Sequence, residues 1–191
     1  MAAPAASAAD RSILVLGDSV SAAFGIPAAR GWVALLAQRL KQERLDYSVV
    51  NASISGETTA GGLARLAPAL QKSKPAVVIV ELGGNDGLRG MPVAQMKQNL
   101  AAIAAQSKRS GARVLIVGVQ VPPNYGAKYA GDFEAAFGEV AKAQHAALVP
   151  FLFEGFGDKR EMFQPDGIHP TAAAQPMMLE TIWQRLRPLL R

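Results

Sequence analysis

Five short runs of apolar, largely β-branched residues recur along the chain, at Ile13 to Leu16, Tyr47 to Val50, Ala76 to Leu82, Arg113 to Val119 and Ala147 to Phe151. Each is nearly continuous instead of alternating, the pattern of a strand covered on both faces. Such strands need a layer on either side, and the segments between the runs supply it. Trp32, Leu35, Leu36 and Leu40 fall at i, i+3, i+4 and i+8, so they line one face of a helix. Leu63, Leu66 and Leu70 repeat that spacing in the second crossover, and Met96, Leu100 and Ile103 in the third. Met178, Leu179, Ile182, Trp183 and Leu186 do so in a last helix that Pro176 opens. Strands alternating with helices imply a parallel sheet with right-handed crossovers. The expected fold is therefore α/β: a single-domain three-layer α/β/α sandwich around a five-stranded parallel sheet, in the flavodoxin-like order 2-1-3-4-5. Residues 11–191 form that domain, and residues 1–10, rich in Ala, Pro and Ser, form a flexible N-terminal tail.

In open sheets of this kind ligands bind beyond the carboxyl ends of the strands, and polar residues and glycines collect there. After the first run come Gly17, Asp18 and Ser19; after the second, Asn51, Ser53, Ser55 and Gly56. The third is followed by Gly83, Gly84, Asn85, Asp86 and Gly87, and the fourth by Pro122, Pro123, Asn124 and Tyr125. A loop through Gly155 and Gly157 then leads to Asp166, Gly167, Ile168, His169 and Pro170.

The chain has two histidines and no cysteine, which removes disulfides, thiolate metal sites and cysteine nucleophiles. His145 falls at the end of a helical segment, where an imidazole suits the helix dipole and has a structural role. His169 lies in a Pro/Gly-rich loop, and if the chain has a catalytic histidine base it is this one. Asp166, three residues earlier, is placed to accept the Nδ1–H, fix the tautomer and stabilise the imidazolium. Ser19 would be the nucleophile. The backbone N–H groups of Ser19 and Gly56 and the side-chain amide of Asn85 are candidate donors to an oxyanion. No metal or other cofactor is called for.

Net charge is +5, but the bases are scattered with no aromatic interleaving, so nucleic acid is not an expected partner. The charge does allow transient contact with anionic lipid surfaces. No apolar run approaches the ~18 residues needed to span a bilayer, so stable membrane insertion is not expected.

The stretches "LVLGDSVSAAFGI", "VVNASISGETTAGGLARL", "VVIVELGGNDGLRG", "VPPNYG" and "DGIHPT", in that order, resemble the SGNH (GDSL) hydrolase family. Within it they are most similar to the bacterial group of thioesterases, lysophospholipases and arylesterases. The resemblance implies Ser19 as nucleophile, His169 as base then acid, Asp166 as its partner, and Ser19, Gly56 and Asn85 as the oxyanion hole. It also implies that Asp86, Gly87, Leu88 and Met91 form a segment beside the acyl pocket, with Pro123, Asn124 and Tyr125 opposite. Glu57 stands where the family commonly has aspartate, and Met91 where it often has an aromatic residue. The implied activity is hydrolysis of short- to medium-chain acyl esters and thioesters, with aryl esters, acyl-CoA and lysophospholipids as substrates. The implied location is periplasmic or secreted. Ala6-Ser7-Ala8, a small-x-small pattern, agrees with an exported mature chain.

Three alternatives define what must be told apart. An α/β-hydrolase elbow, G-x-S-x-G, fails because Ser21 stands at its last position. A non-catalytic flavodoxin-like binding module would use Gly17-Asp18-Ser19 as a phosphate-holding turn, leaving Asp166 and His169 without a role. Acyl transfer to an alcohol instead of water would use the same residues as hydrolysis.

Overall fold

The computed structural model describes residues 11–190, so the expectation of a flexible tail at residues 1–10 lies outside the described residues. Five strands, β1 (Arg11–Gly17), β2 (Tyr47–Asn51), β3 (Val77–Glu81), β4 (Arg113–Val117) and β5 (Ala147–Val149), form one sheet. Every pairing is parallel and the order is 2-1-3-4-5, as the sequence predicts. Six helices connect and cover it: α1 (Trp32–Gln42), α2 (Thr59–Ser73), α3 (Gly84–Leu88), α4 (Val93–Arg109), α5 (Ala127–Ala143) and α6 (Gln175–Leu186). Helix α1 packs on α6 in one layer; α2, α4 and α5 pack side by side in the other.

The predicted helical faces are the buried ones. Trp32, Leu36 and Leu40 of α1 meet the α6 residues Met178, Ile182 and Leu186, each fully buried. Across the sheet, Leu66 of α2 and Met96, Leu100 and Ile103 of α4 fill the second interface. Each such side chain removed from water stabilises the fold by about 1.5–3 kcal/mol before entropy is counted. The sequence reading marked only the end of α5, at His145. The helix buries Phe133, Ala136, Phe137, Val140 and Ala141, an i, i+3, i+4, i+7, i+8 stripe. It stops two residues before His145, whose backbone sits at φ +48°.

Two expectations about the strands need correction. Only the inner strands are covered on both faces: β3 is buried throughout, whereas β2, on the sheet edge, has only half-buried and exposed residues. Strands β4 and β5 also end two residues early. Pro150 has no N–H to extend the ladder, and the Gly118 N–H closes onto the Val149 carbonyl at 2.8 Å. A Cβ on Gly118 would stand 2.3 Å from the Pro150 carbonyl oxygen, so this close approach of two backbones requires glycine.

Candidate active site

Strand β1 ends where Gly17 pairs with Glu81 of β3. The chain then turns through Asp18 and Ser19, with the Ala22 N–H bonded to the Asp18 carbonyl and the Phe24 N–H to that of Ser19. The turn passes so close to its surroundings that a Cβ on Gly17 would lie 2.7 Å from Ser21 Cβ and 2.8 Å from Ser53 Oγ. That packing explains why a strand-forming run stops at glycine.

The Ser19 hydroxyl lies 2.9 Å from His169 Nε2, and His169 Nδ1 lies 2.7 Å from Asp166 Oδ2. These residues stand 150 positions apart in the chain, and the loop bearing the second pair is firmly built. Phe163 and Pro170 form an antiparallel bridge. The Arg160 guanidinium donates to the carbonyls of Phe163, Gln164 and Pro165. Asp166 Oδ1 accepts the N–H groups of Ile168 and His169, at 2.9 and 3.0 Å, so the carboxylate is oriented before it meets the ring. Its slight burial works against ionisation, but the bonds from the His169 ring and from the two backbone N–H groups prevail and hold its pKa down to about 2. Phe24 lies against the imidazole with ring centroids 4.4 Å apart.

Behind the serine are two buried carboxyl groups: Asp18, read from the sequence only as part of the Gly-Asp-Ser turn, and Glu81, which the sequence reading did not single out. Asp18 accepts the Val20 N–H on one oxygen and the Asn85 amide on the other, both at 3.0 Å. Glu81 accepts the Ser21 hydroxyl at 2.6 Å. Burial pushes Asp18 up to about 6, and burial together with the Asp18 charge pushes Glu81 well above the carboxylate range. The second amide hydrogen of Asn85 goes to the Glu57 carbonyl at 3.0 Å, which ties α3 to the loop carrying Gly56. Gly56 has φ +80° and lies exposed on the same rim, its carbonyl accepting a bond from Arg89 at 3.0 Å. Glu57 is paired with Arg65 at 2.7 Å.

A groove of about 410 Å³ opens beside Ser19 and His169, within the size range of small-molecule sites. Its apolar wall comes from Leu88, Val119, Val121, Phe151, Phe153 and Phe163. Of the residues expected beside it, Leu88 lines the groove and the others are placed differently. Asp86 is buried, with its oxygens accepting the N–H and hydroxyl of Thr59. Gly87 is packed so closely against Val121 and Phe133 that it has no room for a Cβ. The Met91 carbonyl accepts the Tyr129 hydroxyl, and the Tyr125 hydroxyl supports the Leu88 carbonyl from behind. Asn124 is exposed and away from the lining, while Pro123 opens a 3-10 turn and its side chain lies outside the described residues. For Asp86 and Gly87 the cause is the segment's conformation: Gly84–Leu88 is a helix, and at 3.6 residues per turn only its Gly84, Asn85 and Leu88 face the groove. The aromatic wall was missed because Phe151 reads as strand and Phe153 as loop. Their position just beyond a strand's carboxyl end was the available signal.

Among the described residues, no cluster of three or more His, Asp or Glu side chains is suited to hold a metal ion. None of their helices is long and apolar enough to cross a membrane.

Parallel sheet and hydrogen-bonded Ser–His–Asp array together define a class, the hydrolases that carry such an array at the carboxyl ends of the strands. Residues 15–175 match the GDSL-like Lipase/Acylhydrolase family, and the chain belongs to it. It is similar to esterase TesA of Pseudomonas aeruginosa, with 56% identity over 96% of this chain and 91% of the relative. It is also similar to thioesterase 1/protease 1/lysophospholipase L1 of Escherichia coli K12, with 42% identity over 97% and 87% of the two chains. The solved structure of the psychrotrophic esterase EstA from Pseudoalteromonas sp., inhibited by monoethylphosphonate, matches with TM-score 0.90 and 38% identity. The match covers 95% of this chain and 99% of EstA. The protein is thus an SGNH-family ester hydrolase, and the binding-module alternative falls.

Proposed function

We propose that the protein hydrolyses short- to medium-chain acyl esters and thioesters, aryl esters, acyl-CoA and lysophospholipids among them, through an acyl-serine intermediate. The observation that carries this reading is the 2.9 Å contact between the Ser19 hydroxyl and His169 Nε2, a nucleophile within reach of its base. Ser19 Oγ attacks the carbonyl carbon while His169 takes its proton, and Asp166 stabilises the resulting imidazolium. The oxyanion receives the N–H groups of Ser19 and Gly56 and the amide of Asn85, exchanging one of that amide's resting bonds to Asp18 or Glu57. As the intermediate collapses, His169 returns the proton to the leaving alcohol or thiol. Water, activated by the same imidazole, then releases the acid. The apolar wall from Leu88 to Phe163 takes the acyl chain. The family resemblance supports a periplasmic or secreted location, to be tested by fractionating cells against a periplasmic marker.

Activity on p-nitrophenyl esters from acetate to palmitate should peak at short to medium chains and decline towards palmitate. A profile rising continuously to palmitate would contradict a groove of this size. Asn85→Ala should lower kcat by about 10²–10³ on every ester of the series, the usual effect of losing one oxyanion donor. Retention of more than half of kcat would remove Asn85 from the oxyanion hole.

A further inference from the structure

Glu81 has no part in the reaction as written, yet it lies in the floor of the groove beside Asp18 and Ser19. The β1–β3 register fixes this placement: Gly17 stands opposite Glu81, so the last residue of β3 lies against the turn that follows β1. Asp18 is 3% exposed and Glu81 1%. Among the described residues, neither makes an ion pair with a lysine or arginine. The charged and titratable groups around the pair come from three directions. His169 faces Asp18 from the loop before α6. Arg65 of α2 reaches the Gly17 carbonyl at 3.4 Å but is neutralised by Glu57. Asp86 of α3 is held on Thr59. Two adjacent carboxylates in such a place would both be desolvated and would repel each other, so one must retain a proton. Asp18 receives an N–H on each oxygen and faces His169, whereas Glu81, which accepts the Ser21 hydroxyl and the backbone N–H groups of Asp18 and Ser21, is the more deeply buried and faces the charge of Asp18. Glu81 is therefore the better place for the proton, with Asp18 accepting it as a hydrogen bond.

We propose that Glu81 is a positioning residue: a protonated carboxylic acid that donates to the Asp18 carboxylate, and through Asp18 orients the Asn85 amide for the oxyanion. This rests on the reading of Asn85 as an oxyanion donor. The high pKa of Glu81 and the value of about 6 for Asp18 agree with one proton held between them near neutrality. The arrangement keeps one negative charge, instead of two, next to the site where the oxyanion forms. As pH rises and Glu81 ionises, the second charge opposes the oxyanion and disturbs Asp18, so kcat falls on the alkaline side.

The test has one arm without catalysis. Infrared difference spectra of the wild-type protein at pH 7, with and without ¹³C-labelled glutamate, should show the carbonyl stretch of one protonated carboxylic acid, absent from Glu81→Gln. No such band overturns the proposal whatever the kinetics show. In the second arm, Glu81→Gln supplies a donor that does not titrate and Glu81→Leu supplies none. Glu81→Gln should retain at least tenfold more kcat than Glu81→Leu, with KM similar in the two, and should lose the alkaline fall of the wild type. Equal kcat in the two variants, or an alkaline limb unchanged in Glu81→Gln, rejects the positioning role. A failure of the underlying reading is distinguishable, because it appears as an active Asn85→Ala enzyme while the infrared band persists.

Discussion

Ser19→Ala should abolish turnover of p-nitrophenyl esters, lowering kcat by about 10⁴–10⁶, the scale seen when a hydrolase loses the nucleophile of such an array. The substitution removes one oxygen whose hydrogen-bond partner in the structure is His169 Nε2. It leaves the β1–β3 register, the Asp18 bonds to Val20 and Asn85, and the groove wall in place. The thermal midpoint should therefore stay near that of the wild type while activity vanishes, which separates loss of chemistry from loss of fold. A phosphonate ester provides a second readout. Intact-mass measurement should find one covalent adduct on the wild type and none on Ser19→Ala. Comparable turnover in both proteins, or an adduct on the variant, would refute the nucleophile assignment.

Asp166→Asn should be the next most damaging change, lowering kcat by about 10³–10⁴ while the protein folds normally. The asparagine Oδ1 can still accept the backbone N–H groups of Ile168 and His169, so the loop keeps its shape. Its NH₂ group would then face His169 Nδ1, where the carboxylate oxygen stood at 2.7 Å. An amide donor there favours the imidazole tautomer protonated on Nε2, which cannot take a proton from Ser19. The pH dependence gives an independent check. A carboxylate held down to about 2 contributes its stability above the unfolded value of 3.8 and loses it only as pH falls through about 2. Asp166 is thus ionised across any practical assay range, and neither limb of the wild-type pH–rate profile should belong to it. Asp18, pushed up to about 6, has the opposite sign: its contribution is complete below 3.8 and is lost as pH rises through about 6. Wild-type kinetics at pH 5–9 in both hydrogen and deuterium buffers, compared with Asp166→Asn, would test this. Retention of a tenth or more of wild-type kcat would mean that the carboxylate is not needed to fix the tautomer.

The chemistry-bearing residues were legible because each lies just past a strand, and an ordered parallel sheet brings those positions to one rim. Ser19 and His169, 150 residues apart, could be paired on that basis. What went astray lay in segments whose local conformation controls where side chains face. The family resemblance implied that Asp86, Gly87, Met91 and Tyr125 stand beside the groove. Helix α3 turns Asp86 and Gly87 into the interior instead, the Met91 carbonyl accepts the Tyr129 hydroxyl, and the Tyr125 hydroxyl is spent on the Leu88 carbonyl. Glu81 was concealed by its own strand, since it fell inside the run Ala76 to Leu82 and was read only as part of that strand.

From the sequence alone came the layer architecture, the strand order and the Ser–Asp–His set, because hydrophobic period and strand-end position are local properties that a parallel sheet turns directly into spatial neighbours. Only the tertiary structure decided which side chains line the groove, that both Asn85 amide hydrogens are engaged at rest, and that Asp18 and Glu81 meet with no lysine or arginine paired to them among the described residues. These depend on helix phase, on the register between β1 and β3, and on the exclusion of water. Each arises where distant segments pack together, and none is encoded in the spacing of any one segment.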